Sequence, residues 1–436
     1  MQVRLIICLV RSLRFFLQLL GRGGSLPGNI ALKMDRNILK KLMYDATIIL
    51  VSGTNGKTST ANMMYEVMKT KYQRVLCNQR GDNLLEGIAT LILSNTSMKL
   101  HVQADCIVME VDELNVERVM QQIPVNHVVI NNFFRDQLDR AGEMERVVSR
   151  VESSLKGYTA HLYLNANDPS VVRLALVNDK AQVHYFSVAK TKESTKQSRE
   201  ASEGRFCPQC HHELVYDYYH YSHIGKFHCP ACAFGHNEMY IQATNVNISE
   251  HCFEVQGFRF SLIQDALYAV YNSIAVLSVA QNLHIQNTSV NEVFNRFELN
   301  DGRMEIFDIG RACLLNLIKN PTGANEVMKY IMRDQGDKDI VIVLNDNIQD
   351  GRDVSWIWDA HFELLLDNNT KNIICVGTRA YDMALRIKYG DYQGNIEVIE
   401  DMDKAIKQLK LYAHHAYVMA TYTALQTMRT VLRRNA

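Results

Sequence analysis

The sequence predicts an α/β protein: a mainly parallel-sheet domain with a phosphate-binding loop carries a small inserted cysteine module and is followed by a second α/β unit. Three observations predict it. The apolar run Thr47 to Ser52 (TIILVS) leads straight into Gly53-Thr54-Asn55-Gly56-Lys57-Thr58 and then a helical stretch, the strand, glycine loop and helix that cradle phosphate. Short apolar runs recur with helical segments between them, the alternation of a parallel sheet. Two Cys-x-x-Cys pairs stand 18 residues apart. At 436 residues there is room for several domains of roughly 100–200 residues each.

In chain order, the segment 1–45 opens with Met1 to Leu20, which is apolar but interrupted by Arg4, Arg11 and Arg14 and followed by no small-residue cleavage site. It is a poor signal peptide and a poor membrane span. On a helix, Arg4, Arg11, Arg14 and Gln18 share one face, so an amphipathic helix with a basic stripe is expected. It either packs on the body of the protein or touches a membrane surface. Residues 46–301 form the expected sheet domain, with strands at Thr47 to Ser52, Cys106 to Val111, Val125 to Ile130 and His161 to Asn165. A polar stretch (SVAKTKESTKQSREASEGR) then leads into the cysteine module at 205–236. After it, Phe253 to Leu262 reads as paired strand and Asp265 to Gln281 as helix. From 302 to 436, ACLLNLI, DIVIVLN, NIICVG and YVMAT alternate with helices, a C-terminal Rossmann-like α/β domain of roughly 130 residues.

Composition narrows the function. Hydrophobic residues at 47% and charged residues at 22%, with 22 Gly and 6 Pro, describe an ordinary globular chain. Lys+Arg 47 offsets Asp+Glu 47, so no global field attracts nucleic acid and phosphate binding must be local. Six of the ten cysteines are scattered through apolar contexts, a pattern of a reducing cytosol with one metal site.

Two motifs carry chemistry. In Gly53 to Thr58, small residues let backbone N–H groups close on phosphate oxygens, Lys57 adds a mobile charge, and the Thr58 hydroxyl suits Mg²⁺. The full Walker spacing is missing, since Val51 stands where it requires Gly, but ATP remains the expected ligand. Cys207, Cys210, Cys229 and Cys232 have the spacing of a Cys₄ zinc ribbon. Four thiolates close a tetrahedron and leave no position for water, so the zinc is expected to be structural. His211, His212, His223 and His228 nearby are then surface or packing residues.

GTNGKTS, VMEVDE, NNFFRDQLDRAGE, LNANDPSV, YNSIAV and DGRMEIF occur in the order seen in Mur ligases, which the chain resembles over most of its length. With the cysteine module, NLIKNPTGANEV and NDNIQDGRDVSWIWD, it resembles the MurT-type synthetase subunits of lipid II isoglutaminyl synthases. The resemblance implies that Lys57 and Thr58 handle ATP phosphates and Mg²⁺ and that Glu110 gives a carboxylate to magnesium, with Asp112 and Glu113 as alternatives. It also implies nucleotide contacts from Asn272 and Arg303, and less firmly from Asn165 and Asp168. Departures stand at Asn131-Asn132, where relatives carry Thr-Asn, at Gln137 in place of His, and at Asn316 to Pro321 in place of Asp-Tyr-Ala-His-Asn-Pro.

The acid-rich run Asn345 to Asp359 holds both tryptophans of the chain. Through the resemblance, Asp353 is the expected catalytic carboxylate, orienting the His of a Cys–His pair on a GatD-like class I glutaminase partner in a heterodimer; Asp350 is the alternative. The function so implied is amidation of the D-glutamate α-carboxylate of lipid II to D-isoglutamine. The expected setting is cytoplasmic, at the inner face of the bacterial plasma membrane. A stand-alone ligase adding an amino acid, and a non-catalytic zinc-ribbon adaptor, are the rival readings.

Overall fold

The structure is a computed structural model that describes residues 2–19, 24–78, 82–135, 144–198, 203–297, 304–347 and 349–436. Packing divides the chain into two compact units, one from Met1–Phe133 and Glu145–Phe297, the other from Phe134–Met144 and Glu298–Ala436.

The first unit holds β1 (Thr47–Ser52), β2 (Val75–Cys77), β3 (Cys106–Glu110), β4 (His127–Ile130), β5 (His161–Asn165), β6 (Gln182–Val188), β7 (Val215–Tyr221), β8 (Ile224–His228), β9 (Met239–Asn247), β10 (Cys252–Val255) and β11 (Phe258–Ser261). Nine of these form one sheet in the order β11-β10-β9-β6-β5-β4-β1-β3-β2. The pairings from β2 through β9 are parallel, whereas β9, β10 and β11 are antiparallel. β1 lies inside the sheet with Ile48 to Val51 buried, which is why it reads as an unbroken apolar run and not as an alternation. β2, β6 and β9 have no such run. β2 is three half-buried residues, and β6 (QVHYFSV) mixes polar and apolar positions at the same spacing.

β7 and β8 form a separate hairpin in the cysteine module. It is seated on the large sheet by Asn167, whose side chain donates to Gly225 O at 3.1 Å while its own carbonyl accepts Gly225 N at 2.9 Å.

The N-terminal helices α1 (Gln2–Leu19) and α2 (Leu26–Met34) pack with α4 (Leu85–Ser94), and α3 (Lys57–Met68) follows the glycine loop. α2 crosses α4 at backbone contact. A Cβ on Gly28 would lie 1.9 Å from Glu86 O, and Gly28 N donates to Thr90 Oγ1 at 2.8 Å. Only glycine permits that approach. α1 buries Ile6, Ile7 and Val10 but leaves Leu5, Leu9, Phe15, Phe16 and Leu19 exposed. The basic stripe expected of this helix is thus not its whole outer face.

The second unit holds β12 (Glu305–Asp308), β13 (Ala312–Leu317), β14 (Lys338–Val343), β15 (Thr370–Val376), β16 (Asn395–Val398) and β17 (His415–Ala420), ordered β12-β13-β17-β14-β15-β16. All pairings except β12 with β13 are parallel. One apolar cluster gathers Ile340, Ile342, Ile357 and Phe362, and another gathers Val341, Val343, Leu409 and Met428. The alternation of β14 residues between them places a core on each face of the sheet.

Candidate functional site

The site grows from the carboxyl ends of β1 and β3, where open α/β sheets bind ligands. Two glycines shape the loop between β1 and α3. Gly53 has φ +127° and Gly56 φ +82°, and a Cβ on Gly56 would stand 2.2 Å from Asn272 Oδ1. Asn272, buried on the helix Leu267–Asn282, therefore lies directly against the loop. Asn132, just after β4, holds the loop's other side: Thr54 N donates to its carbonyl at 2.9 Å, Asn55 N to its Oδ1 at 2.8 Å, and its Nδ2 donates to Asn55 O at 3.1 Å. Asn131 reaches Thr60 Oγ1 at 2.9 Å. The Asn-Asn pair noted as a departure is thus a clamp on the loop.

Lys57 begins α3 and is buried. Its Nζ donates to Gly53 O at 2.5 Å, Thr54 O at 3.2 Å and Glu113 Oε2 at 3.0 Å. Burial alone lowers the pKa of an ammonium, but Glu113, Asp112 and Glu110 outweigh it and hold Lys57 above its ordinary value. Thr58 Oγ1 donates to Glu110 Oε1 at 3.1 Å. Glu110 is fixed from three sides: its N–H and carbonyl bond the side chain of Asn78, each at 2.8 Å, and its Oε1 accepts Asn83 Nδ2 at 3.2 Å. A hydroxyl beside a fixed carboxylate is a donor set of hard oxygens, which fits Mg²⁺.

Of the residues expected to contact nucleotide, Gly53 to Thr58, Glu110 and Asn272 come together here. Glu113 is Lys57's ion partner, and Asp112 accepts Leu114 N at 3.2 Å. Arg303 and Gln137 lie outside the described residues. Asn165 and Asp168 serve the scaffold. Asn165 Nδ2 donates to Asn131 O at 2.9 Å, and Asp168 accepts Phe133 N at 2.8 Å and caps the turn Pro169–Val172 through Ser170 N at 2.8 Å. Asn78 and Asn83 escaped the sequence reading, and Asn132 entered it only as a departure from the family pattern, because asparagines in loops ordinarily report turns.

The four cysteines of the ribbon converge. Their Sγ atoms all lie within 4.8 Å of one another, with 3.6 Å between Cys207 and Cys232 and 3.3 Å between Cys210 and Cys229. Four thiolates about 2.3 Å from a zinc ion stand roughly 3.8 Å apart on the edges of a tetrahedron, so the donor set fits Zn²⁺. The hairpin above the knuckles reaches toward the helix that lies against the glycine loop. His220 Nδ1 bonds the hydroxyl of Tyr271 at 2.6 Å, and Tyr271 precedes Asn272 on its helix. His223 is fully buried, with Nε2 3.4 Å from Asp168 Oδ1.

In the second unit, the acid-rich loop leaves the carboxyl end of β14. Asp350 is buried and bonds Thr423 through its N–H, at 2.7 Å, and its hydroxyl. Asp346 pairs with Arg379 at 3.3 Å. Asp353 is half-buried and bonds locally, accepting Ser355 N at 2.8 Å. That backbone donor, the Ser355 hydroxyl and the charge of Arg135 hold its carboxyl below the usual range. It is an anion at neutral pH.

A family model for the Mur ligase middle domain matches residues 51–229, and one for the MurT ligase C-terminal region matches residues 317–425. The chain is 34% identical over 424 residues to a Staphylococcus aureus protein named lipid II isoglutaminyl synthase (glutamine-hydrolyzing) subunit MurT, covering 95% of this chain and 94% of that one. A Streptococcus pneumoniae protein of the same name is 32% identical over 429 residues, covering 97% and 95%. Among solved structures, a pseudomurein peptide ligase type C from Methanothermus fervidus superposes with a TM-score of 0.69 at 20% identity, over 92% of this chain and 81% of that one. MurF from Thermotoga maritima in complex with ADP superposes with a TM-score of 0.61 at 14% identity, over 94% and 85%. These two share the fold. With the likeness to the curated subunits running nearly end to end, the chain belongs to the MurT family of Mur ligases.

Proposed function

We propose that this protein is the ATP-dependent synthetase subunit of a lipid II isoglutaminyl synthase. The observation that carries the reading is the convergence of Lys57, Thr58 and Glu110 on one clamped glycine loop, in a chain like the named subunits over nearly its whole length. ATP phosphorylates the α-carboxylate of D-glutamate in the lipid II stem. Ammonia attacks the acyl carbon, inorganic phosphate leaves, and D-isoglutamine remains. Lys57 neutralises phosphate charge, which requires its ammonium to leave the carbonyls of Gly53 and Thr54 as phosphate enters. Thr58 and Glu110 would hold Mg²⁺, which would supply positive charge to the phosphoryl group being transferred. Asn272 and Arg303 contact the nucleotide, and Cys207, Cys210, Cys229 and Cys232 hold a structural zinc.

Ammonia comes from a GatD-like glutaminase partner, whose catalytic His is oriented by Asp353 through the carboxylate–imidazole logic of a triad. An apolar surface on the same unit supports docking of a partner there. Tyr381, Leu385 and Tyr389 fall at i, i+4 and i+8 on the helix Ala380–Tyr389, all exposed, and Trp358 packs edge-on against Tyr389 at 5.6 Å. An exposed aromatic row of this kind is typical of an interface core. The complex works on a lipid-linked substrate at the cytoplasmic face of the membrane.

Purified chain and glutaminase, supplied with lipid II, ATP and ¹⁵N-amide glutamine, should yield lipid II carrying one ¹⁵N-amide. Incorporation of an amino acid in place of ammonia would make the stand-alone ligase the correct reading.

A further inference from the structure

We infer that the outer face of α1 docks this protein on an anionic phospholipid bilayer, the helix lying in the plane of the interface. The inference rests on the proposed reading only in that the substrate is lipid-linked. A surface helix ordinarily buries its apolar stripe and shows a polar face. Here a second apolar face points outward: Leu5 is 63% exposed, Leu9 42%, Phe15 60%, Phe16 61% and Leu19 69%. At about 100° per residue these five side chains fall within an arc of about 120°, and Cys8 and Ser12 within the same arc add no charge. Cys8 touches Met98, itself 42% exposed, which widens the patch. Ile6, Ile7 and Val10, on the opposite side, anchor the helix to the fold.

Charge selects the occupant. Residues 1–34 carry Arg4, Arg11, Arg14, Arg22 and Lys33 and no Asp or Glu, in a chain whose charges balance only when this segment is included. Arg4, exposed on one border of the apolar arc, places its guanidinium where it reaches headgroup phosphates while the rings enter the acyl boundary, whereas Arg11 beside it is held by the fold through Thr96 O. A second copy of the patch, related by a two-fold axis, would bring the same cations together. An anionic lipid surface instead neutralises them, each cation near it adding to the binding. Among the described residues no helix is long and apolar enough to cross a membrane, so the contact is peripheral and reversible.

The test is co-sedimentation of the full chain with large unilamellar vesicles of phosphatidylglycerol and phosphatidylcholine, against phosphatidylcholine alone. The wild type should partition onto the anionic vesicles and at least about fivefold more weakly onto the neutral ones. The substitutions Phe15→Ser, Phe16→Ser and Leu19→Ser together should cut partitioning at least tenfold with an unchanged melting temperature, because the three side chains are exposed. Arg4→Gln should reduce binding to anionic vesicles by about fivefold and leave the weak neutral binding alone. Absence of binding to anionic vesicles, or equal binding by the triple variant, overturns the inference. So does a wild-type dimer that the triple variant dissociates without any vesicle binding, which would make the patch a self-association surface. Amidation of lipid II in detergent micelles is read in parallel: micelle activity without vesicle binding defeats the docking alone, and vesicle binding without amidation defeats the catalytic reading alone.

Discussion

Lys57 is an ion partner within the fold and, in the proposed reading, also the phosphate cation, and the buried carboxylates around it let the two be separated. Glu113 is its ion partner at 3.0 Å, and Asp112 and Glu110 add to the same negative field. Lys57→Ala should therefore abolish ATP-dependent amidation and also destabilise the fold by about 3 kcal/mol, because it strands a buried carboxylate. The sequence alone suggests a purely catalytic loss, since a phosphate-loop lysine usually faces solvent and ligand. The paired variant Lys57→Met with Glu113→Gln should recover most of the melting temperature and none of the amidation; recovery of activity would remove Lys57 from the phosphate site. The two acids of the second-unit loop should also part. Asp353→Asn should slow glutamine hydrolysis by the partner by on the order of a hundredfold or more while amidation with added ammonia continues. Asp350→Asn should act mainly through stability, loosening the tie to Thr423. Loss of the ammonia-driven reaction in Asp353→Asn would place that carboxylate in the synthetase chemistry instead.

At the scale of elements, the ribbon hairpin is tied to the helix Leu267–Asn282, which carries Asn272 against the glycine loop. β7 supplies His220, buried between the Tyr271 hydroxyl and Ala189 O. Cys207→Ser should bring metal content well below one zinc per chain and weaken nucleotide binding, since the hairpin and its knuckles fold together around the ion. His220→Ala should keep the zinc but raise the Kd for ADP several-fold, measured by calorimetry. An unchanged Kd would confine the ribbon to a stabilising role. Much of this level was legible beforehand: the β1 and β5 ranges and the cysteine spacing could be read from local pattern. β6 and β9 could not, because strand partners, not their own periodicity, bury them.

The whole molecule should be sensitive to mild acid. His127 sits in a ring stack with His161 and Tyr163, and burial first, then the neighbouring His161 and His184, depress its pKa to about 4. Burial likewise takes His220 to about 4 against a small opposing effect of Ala189 O. Both stay neutral in the fold while their unfolded counterparts take up protons near pH 6.5. The unfolded state then binds more protons between pH 6.5 and about 4, so stability falls as pH falls through that window. By pH 5 the loss should approach about 2 kcal/mol per histidine, seen as a drop in melting temperature between pH 7 and pH 5. His127→Gln should flatten that slope, and an unaltered slope would mean the stack is not what sets it.

What the sequence determined by itself was whatever short-range pattern encodes: the strand, loop and helix around Gly53 to Thr58, the four-cysteine ribbon, the α/β class and the family likeness. These depend on residues close in the chain, where backbone conformation and ligand spacing are local properties. Tertiary structure alone decided which carboxylates face Lys57, that Asn78, Asn83 and Asn132 clamp the site, that Asp168 serves the scaffold, and that α1 turns a second apolar face outward. The physical reason is burial and long-range partnering. An asparagine or a leucine carries the same chemistry wherever it stands, and only the packed chain fixes which neighbour satisfies it and which face is left to the solvent.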